Sequence, residues 1–538
     1  MLEKHLLLET LTRARLIGGL VVALFVAGCA GMSNRAMDDP ALEFAPRAVP
    51  AKGEALMPEE PPTKPEIAET GPVQLTVIDA VLVGLQNNRA LRVQRATPAI
   101  LQTREEWERA AFDPVFRAAA SLSEERGQTP AGFDTRTTTL RGDAGIGQYF
   151  PSGTDIELGA DARQLRGDIT QNTVGIGLTV TQALLRGRGT GVNLAALRQA
   201  QLDTLRSEYE LRGFAEALAA EIELTCWDYY LAERKVEIFE RSLELARDQL
   251  QIAEERVRVG QVAETELAAA RAEVALRRED LINARSRTEI VRLELLRLTN
   301  PRGETLWDRE VILEARPEVV PTELDEIEDH VNLAMQMRPD LNEARLRVRR
   351  GDLELVRTRN GLLPKLDLFV ALGMTGYAES FGAAAGRISR EYYDATVGLA
   401  LEFPFNNRRA RSDHERARLT REQSADAVDN LEQLVQLDIR TAIIEANRTR
   451  EQIAATEATR EAQEEKVRAE VEKFRVGRST SILVAAAQRD LVASQVAEIE
   501  SLVNFLKALT RLYRLEGSLL LRRGIAAPGP AGPVPSVE

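Results

Sequence analysis

Residues 364–372 read Pro364-Lys365-Leu366-Asp367-Leu368-Phe369-Val370-Ala371-Leu372. Leu366, Leu368, Val370 and Leu372 fall on one side of an extended chain, and Lys365, Asp367, Phe369 and Ala371 on the other. That two-residue period is the signature of a strand with one apolar face. Before Pro404, Val397, Leu399, Leu401 and Phe403 alternate in the same way with Thr396, Gly398, Ala400 and Glu402. Strands of about ten residues with one apolar face and one small, polar or charged face suit a membrane barrel, lipid outside and water within. A soluble sandwich would show the same alternation.

An earlier stretch repeats the pattern. Phe116, Ala118, Ala120 and Leu122 alternate with Arg117, Ala119, Ser121 and Ser123, and Val174, Ile176, Leu178 and Val180 with Gly175, Gly177, Thr179 and Thr181. Ala90 to Pro114 matches Asp340 to Pro364 at an offset of 250, Gly177 to Leu184 matches Gly398 to Phe405 at 221, and Arg258 to Ala270 matches Arg475 to Ala487 at 217. The blocks keep one order, so the chain is duplicated, and the shrinking offset places about 30 extra residues between Pro114 and Gly177 of the first copy.

Those residues also alternate. Thr138, Leu140, Gly142, Ala144 and Ile146 oppose Thr139, Arg141, Asp143 and Gly145; Ile156, Leu158, Ala160 and Ala162 oppose Asp155, Glu157, Gly159 and Asp161. Pro151-Ser152-Gly153 between them reads as a tight turn. The first copy then supplies four strands (115–183) and the second two (365–403). The extra hairpin either joins the barrel or folds as a flap outside it.

Helices occupy the rest. No proline interrupts 191–258 or 407–475, where Ala, Leu, Glu and Arg dominate and apolar residues recur at three and four. At 1.5 Å per residue each helix spans roughly 100 Å. Gly260 and Gly477 follow them as helix stops, and second helices are expected over 262–299 and 480–516. Helices near 75–111 and 323–362 supply the remaining length, the first kinked at Pro98. Such helices alone would also suit a periplasm-spanning coiled-coil tether; the strand pairs argue against it.

Lys4, Arg13 and Arg15 precede an apolar run from Leu16 to Ala27, too short to span a bilayer but suited to export. The run ends Val26-Ala27-Gly28-Cys29, which resembles the bacterial lipobox, so residues 1–28 are expected to be a signal peptide and Cys29 to carry acyl chains, palmitate among them. An ordinary signal peptide with an unrelated cysteine is the alternative. Residues 29–73, with eight prolines, read as an extended tether, and the tail from Gly524 likewise. A net charge of -13 offers no basic footprint for nucleic acid. With Cys29 and Cys226 the only cysteines and His330 and His414 the only histidines beyond the leader, no His/Cys metal site or Cys/His nucleophile is expected. The chain reads as neither an enzyme nor a cofactor binder, and Asp367 and Glu402 read as lining water.

Taken together, the lipobox, the duplicated strand–helix units and the Arg-Val-Gly tips resemble the TolC family of outer-membrane efflux proteins over 75–517. The resemblance implies an α+β membrane protein: a homotrimer whose transmembrane β-barrel continues into a long periplasmic α-helical barrel, with two structural repeats per chain. It implies an exit duct for solutes, driven by an inner-membrane transporter through a periplasmic adaptor, or the polypeptide-secreting version of that duct. The tips after Arg258 and Arg475 would face the inner membrane. Gly260, Gln261 to Thr265, Gly477, and Arg478 to Ser481 would form the adaptor-facing rim, with Glu264 and Glu266 as candidate pore-lining acids or ordinary helix-start residues. Residues 301–322 and the region after Leu515 would form a connector around the waist. The sequence departs from the family where some members carry gate aspartates: it reads Ile482-Leu483-Val484-Ala485-Ala486. Six strands per chain would close an 18-stranded barrel in place of the 12 that four per chain give.

Overall fold

The computed structural model describes residues 71–128, 134–167, 170–259, 264–302, 306–314, 317, 324–389, 391–476 and 478–530. The first repeat begins with β1 (Val73–Leu75), α1 (Val77–Asn87), α2 (Arg89–Gln94) and α3 (Ala96–Arg109), followed by β2 (Val115–Gln128), β3 (Asp134–Tyr149), β4 (Thr154–Arg166) and β5 (Thr170–Ala183). A short α4 (Thr190–Asn193) leads into α5 (Ala195–Arg258), and α6 (Glu264–Thr299) returns from the tip. After β6 (Val311–Leu313), the second repeat runs through α7 (Ile327–Met337), α8 (Pro339–Gly361), β7 (Lys365–Ala378), α9 (Phe381–Gly386), β8 (Tyr393–Glu402), α10 (Arg408–Arg475) and α11 (Ser481–Glu516), and α12 (Leu519–Arg522) ends it.

Every expected strand forms, and all six join one antiparallel sheet in the order β2-β3-β4-β5-β7-β8. The turn read at Pro151-Ser152-Gly153 is present: Gly153 N–H donates to the Phe150 carbonyl at 2.9 Å. Its φ of +87° needs a glycine, and a Cβ there would lie 2.3 Å from the Gly187 carbonyl oxygen.

At 64 and 68 residues, α5 and α10 are about 96 and 102 Å long. Along the strand-proximal half, α3 packs on α5, α5 on α8, and α8 on α10; along the tip half the order is α6, α5, α11, α10. Each level therefore presents four helices side by side, with α3 or α6 at one edge and α10 at the other.

The first copy's helix is interrupted at Arg95, three residues before Pro98, where the expected kink falls, while its second-copy counterpart α8 runs unbroken from Pro339 to Gly361. The sharper breaks lie at Asn88 (ψ 126°) and Arg338 (ψ 118°), 250 residues apart. Two chemistries make the same bend. Arg338 precedes Pro339, which forces extended backbone on it. Asn88 accepts from Ala90 N and Leu91 N at 2.9 and 3.1 Å and donates to the Leu298 carbonyl at 2.9 Å.

At the waist, β1 and β6 form a parallel pair, so Val73 belongs to the folded body rather than to the tether. Val73, Val81, Leu91, Leu218, Ile222, Leu295, Leu296 and Val311 are buried together with Leu519, Leu520 and Ile525. The tail reading is thus corrected: residues 519–530 pack on α5, and Pro530 accepts from Arg212 Nη1 at 3.0 Å. The end of α11 approaches α7 so closely that Gly517 (φ +73°) has the Met337 carbonyl oxygen 3.0 Å from where a Cβ would stand.

Candidate functional site

Strand register sorts the side chains of the sheet onto two faces. On one, Phe116, Ile146, Leu158, Leu178, Leu372 and Ala395 form a single row across all six strands. The rows above and below include Ile176 beside Met374 and Tyr393, and Val180 beside Val370 and Val397. These residues stand exposed, with Phe116 at 67%, Leu158 at 52% and Val397 at 70%. An apolar face this wide is unstable in water. At 3.3 Å per residue and a tilt of about 40°, a 14-residue strand rises about 35 Å, more than the roughly 25 Å apolar band of a membrane barrel. Charges return only toward the ends of β2, β3 and β4 farthest from the helices, where Arg166 stands and Arg136 meets Glu124 at 2.5 Å. Aromatic residues flank the band: Phe403 and Phe405 on the helix side, Tyr392 and Tyr393 on the far side, all more than half exposed.

Water-compatible groups occupy the opposite face. Arg117, Arg141, Asp143, Glu157, Asp161 and Arg163 line it on β2 to β4, and Asp367 and Glu402 stand there as expected. Among the described residues no helix is long and apolar enough to cross a membrane.

At the far ends of the long helices lie the tips. Cys29, Gly260, Gln261 and Gly477 fall outside the described residues. Arg258 closes α5 and Arg475 closes α10, each basic at a helix C-terminus where the macrodipole favours it. Glu264, Thr265 and Glu266 form the first turn of α6, the matching position for acids. Arg475 pairs with Glu472 at 2.8 Å, and both are two-thirds exposed. In the second tip Arg478 N–H donates to the Lys473 carbonyl at 2.7 Å, Ser479 donates to Glu470 at 2.8 Å, and Thr480 caps α11. Lys473 and Ser479 hold the Glu470 carboxyl below the usual carboxylate range. Ser481 opens α11, its hydroxyl buried without a hydrogen-bond partner among the described residues. Sequence reading missed the link between the tips: the Arg256 guanidinium lies 4.8 Å from the Phe474 ring centre, so the ends of α5 and α10 touch.

The sheet, the helical wall and the tips together recur in known proteins. A family profile described as outer membrane efflux protein matches residues 330–518. That match falls on the second repeat and covers about a third of the chain. Among solved structures, a membrane protein from Pseudomonas aeruginosa shares the fold with a TM-score of 0.63 and 18% identity, covering 85% of this chain and 99% of that one. The CmeC outer membrane channel of Campylobacter jejuni gives 0.61 and 15%, covering 86% and 95%. The open state of the MtrE outer membrane channel of Neisseria gonorrhoeae gives 0.58 and 15%, covering 86% and 98%. No curated protein sequence matches.

The waist holds a buried polar network that sequence reading also missed. Glu223, fully buried, receives a bidentate pair from Arg523 at 2.8 and 3.0 Å and a hydrogen bond from Thr510 at 3.1 Å. Glu216 accepts from Leu520 N at 3.2 Å, with Arg212 at 3.9 Å; burial pushes its carboxyl up to about 7. His330 Nδ1 contacts Glu516, which also accepts from Ser518 at 2.5 Å and Arg522 at 3.1 Å. Partners lie up to about 300 residues apart, and the network fastens residues 520–530 to the first repeat and Glu516 to α7.

Proposed function

We propose that three copies of the chain form the outer-membrane exit duct of a tripartite efflux system. Transport energy comes from an inner-membrane transporter reached through a periplasmic adaptor. The duct is passive and is not an enzyme. The observation that carries this reading is a six-stranded sheet with one continuous apolar face, joined to a four-helix wall about 100 Å long. Lipid covers the apolar face, water passes the charged one, and helices of that length cross the periplasm. The names of CmeC and MtrE as outer membrane channels support it.

In this reading the tips meet the adaptor, through Arg258, Gly260, Gln261, Thr265, Arg475, Gly477, Arg478 and Ser481, while Glu264 and Glu266 face the pore. Replacing Gly260 or Gly477 with a bulky residue penalises any left-handed backbone angle there. Export in cells should then fall at least tenfold while oligomers persist on native gels; undiminished export by both variants would remove the tips from the docking surface. Cys29 holds the lipid anchor. Intact-mass spectrometry of membrane-extracted protein should show residues 1–28 removed and acyl chains added, and an unmodified thiol would remove the anchor but leave the channel standing.

A further inference from the structure

Resting on the trimeric reading, we infer that β2 of one copy pairs with β8 of the next, so that the membrane section is an 18-stranded barrel as wide as the helical tunnel beneath it. Four observations carry this.

First, β3 and β4 are part of the wall. β2 pairs along its whole length with β3 and reaches β5 only through β3 and β4. If the hairpin left the membrane, β2 would lose its sole partner among the described residues, and its amides would stand unpaired in lipid at several kcal/mol per group unless β2 re-registered onto β5. Second, the apolar row crosses the hairpin without a break through Ile146 and Leu158, and Arg141, Asp143, Glu157, Asp161 and Arg163 share the face of Arg117 and Asp367. Both faces therefore continue from β2 to β8.

Third, the widths match. Six strands at 4.8 Å spacing and about 40° tilt cover about 38 Å of circumference. Four helices at 8–10 Å cover about 32–40 Å. Three copies of six strands give a backbone diameter of about 36 Å against about 24 Å for twelve.

Fourth, the edges form two complementary seams. On the β2 side, Val93, Ile100 and Trp107 recur every seven residues as an exposed stripe on α2 and α3, continued by Ile282 and Ile290 on α6. On the β8 side, Leu419, Leu434, Leu437 and Ile444 are exposed along α10. Two different apolar edges suit a head-to-tail contact, the kind that generates a ring when its rotation closes. Glycines suit the closure: Gly145, Gly159, Gly177 and Gly373 are in register across four strands of the charged face. A row without side chains relieves crowding where a sheet curls inward.

In consequence the outer-membrane section does not limit cargo width; any narrowing belongs to the tips. Electron cryomicroscopy of the full-length protein in lipid nanodiscs should show 18 strands. In parallel, Ile146→Cys and Leu158→Cys should react with a lipid-phase maleimide and resist an impermeant one, with Glu157→Cys reversed. Cys226 is buried and burial pushes its thiol up, so it stays silent in this labelling. A trimer with 12 strands and water-accessible Ile146→Cys and Leu158→Cys would overturn the wide barrel while leaving the duct intact. Absence of any trimeric barrel would overturn both.

Discussion

Leu372→Arg should nearly abolish membrane insertion, while Ala371→Arg, one residue away, should be inserted and extracted like the wild type. Leu372 lies in the apolar row of β7 between Leu178 and Ala395, and Ala371 faces Thr179 and Thr396 on the charged side. An arginine near the bilayer midplane costs about 2–4 kcal/mol, and a trimer carries three of them. On the water side the same side chain extends into solvent. Membrane fractionation, with heat-modifiable oligomers on gels, reads the difference directly. Equal insertion of the two variants would mean that the exposed apolar face does not meet lipid.

Removing Glu223 should have the second largest effect. Glu223→Ala leaves Arg523 without its bidentate carboxylate, while Thr510 keeps the Leu506 carbonyl as an acceptor at 3.1 Å. Breaking a buried pair on one side costs about 3–5 kcal/mol; because Arg523 is 31% exposed, the lower end of that range applies. The loss should act locally, freeing residues 519–530 from α5. Hydrogen exchange at Leu519 to Ile525 should quicken by roughly a hundredfold, while the amides of β5 and β7 keep their protection. Unchanged protection in 519–525 would show that the apolar contacts of Leu519, Leu520 and Ile525 hold the segment without the ion pair.

Strands, long helices and duplication were legible because each is written in short-range periodicity. Alternation at Leu366 to Leu372 or Ile156 to Ala162 needs no knowledge of partners, and even the extra hairpin could be read that way. What could not be read depends on contacts distant in sequence. Glu223 looks like any acid in a charge-rich helix until Arg523 is placed beside it, and the proline-rich run after Gly524 reads as a tether until Pro530 meets Arg212. The bend at Asn88 went unnoticed for a different reason. Its cause is a side-chain cap and a bond to Leu298, neither of which a proline marks in the sequence. The tips were found through their Arg-Val-Gly repeat, yet the contact between Arg256 and Phe474 joins two segments that sequence reading treats separately.

The reading of the molecule as a water-filled duct across the outer membrane is tested most directly by current. Purified full-length protein added to a planar lipid bilayer should produce discrete, reproducible conductance steps that share one orientation. Leu372→Arg protein prepared in the same way should produce none. A bilayer that stays silent with trimeric wild-type protein demonstrably inserted would contradict the duct and favour a structural tether between membrane and periplasm.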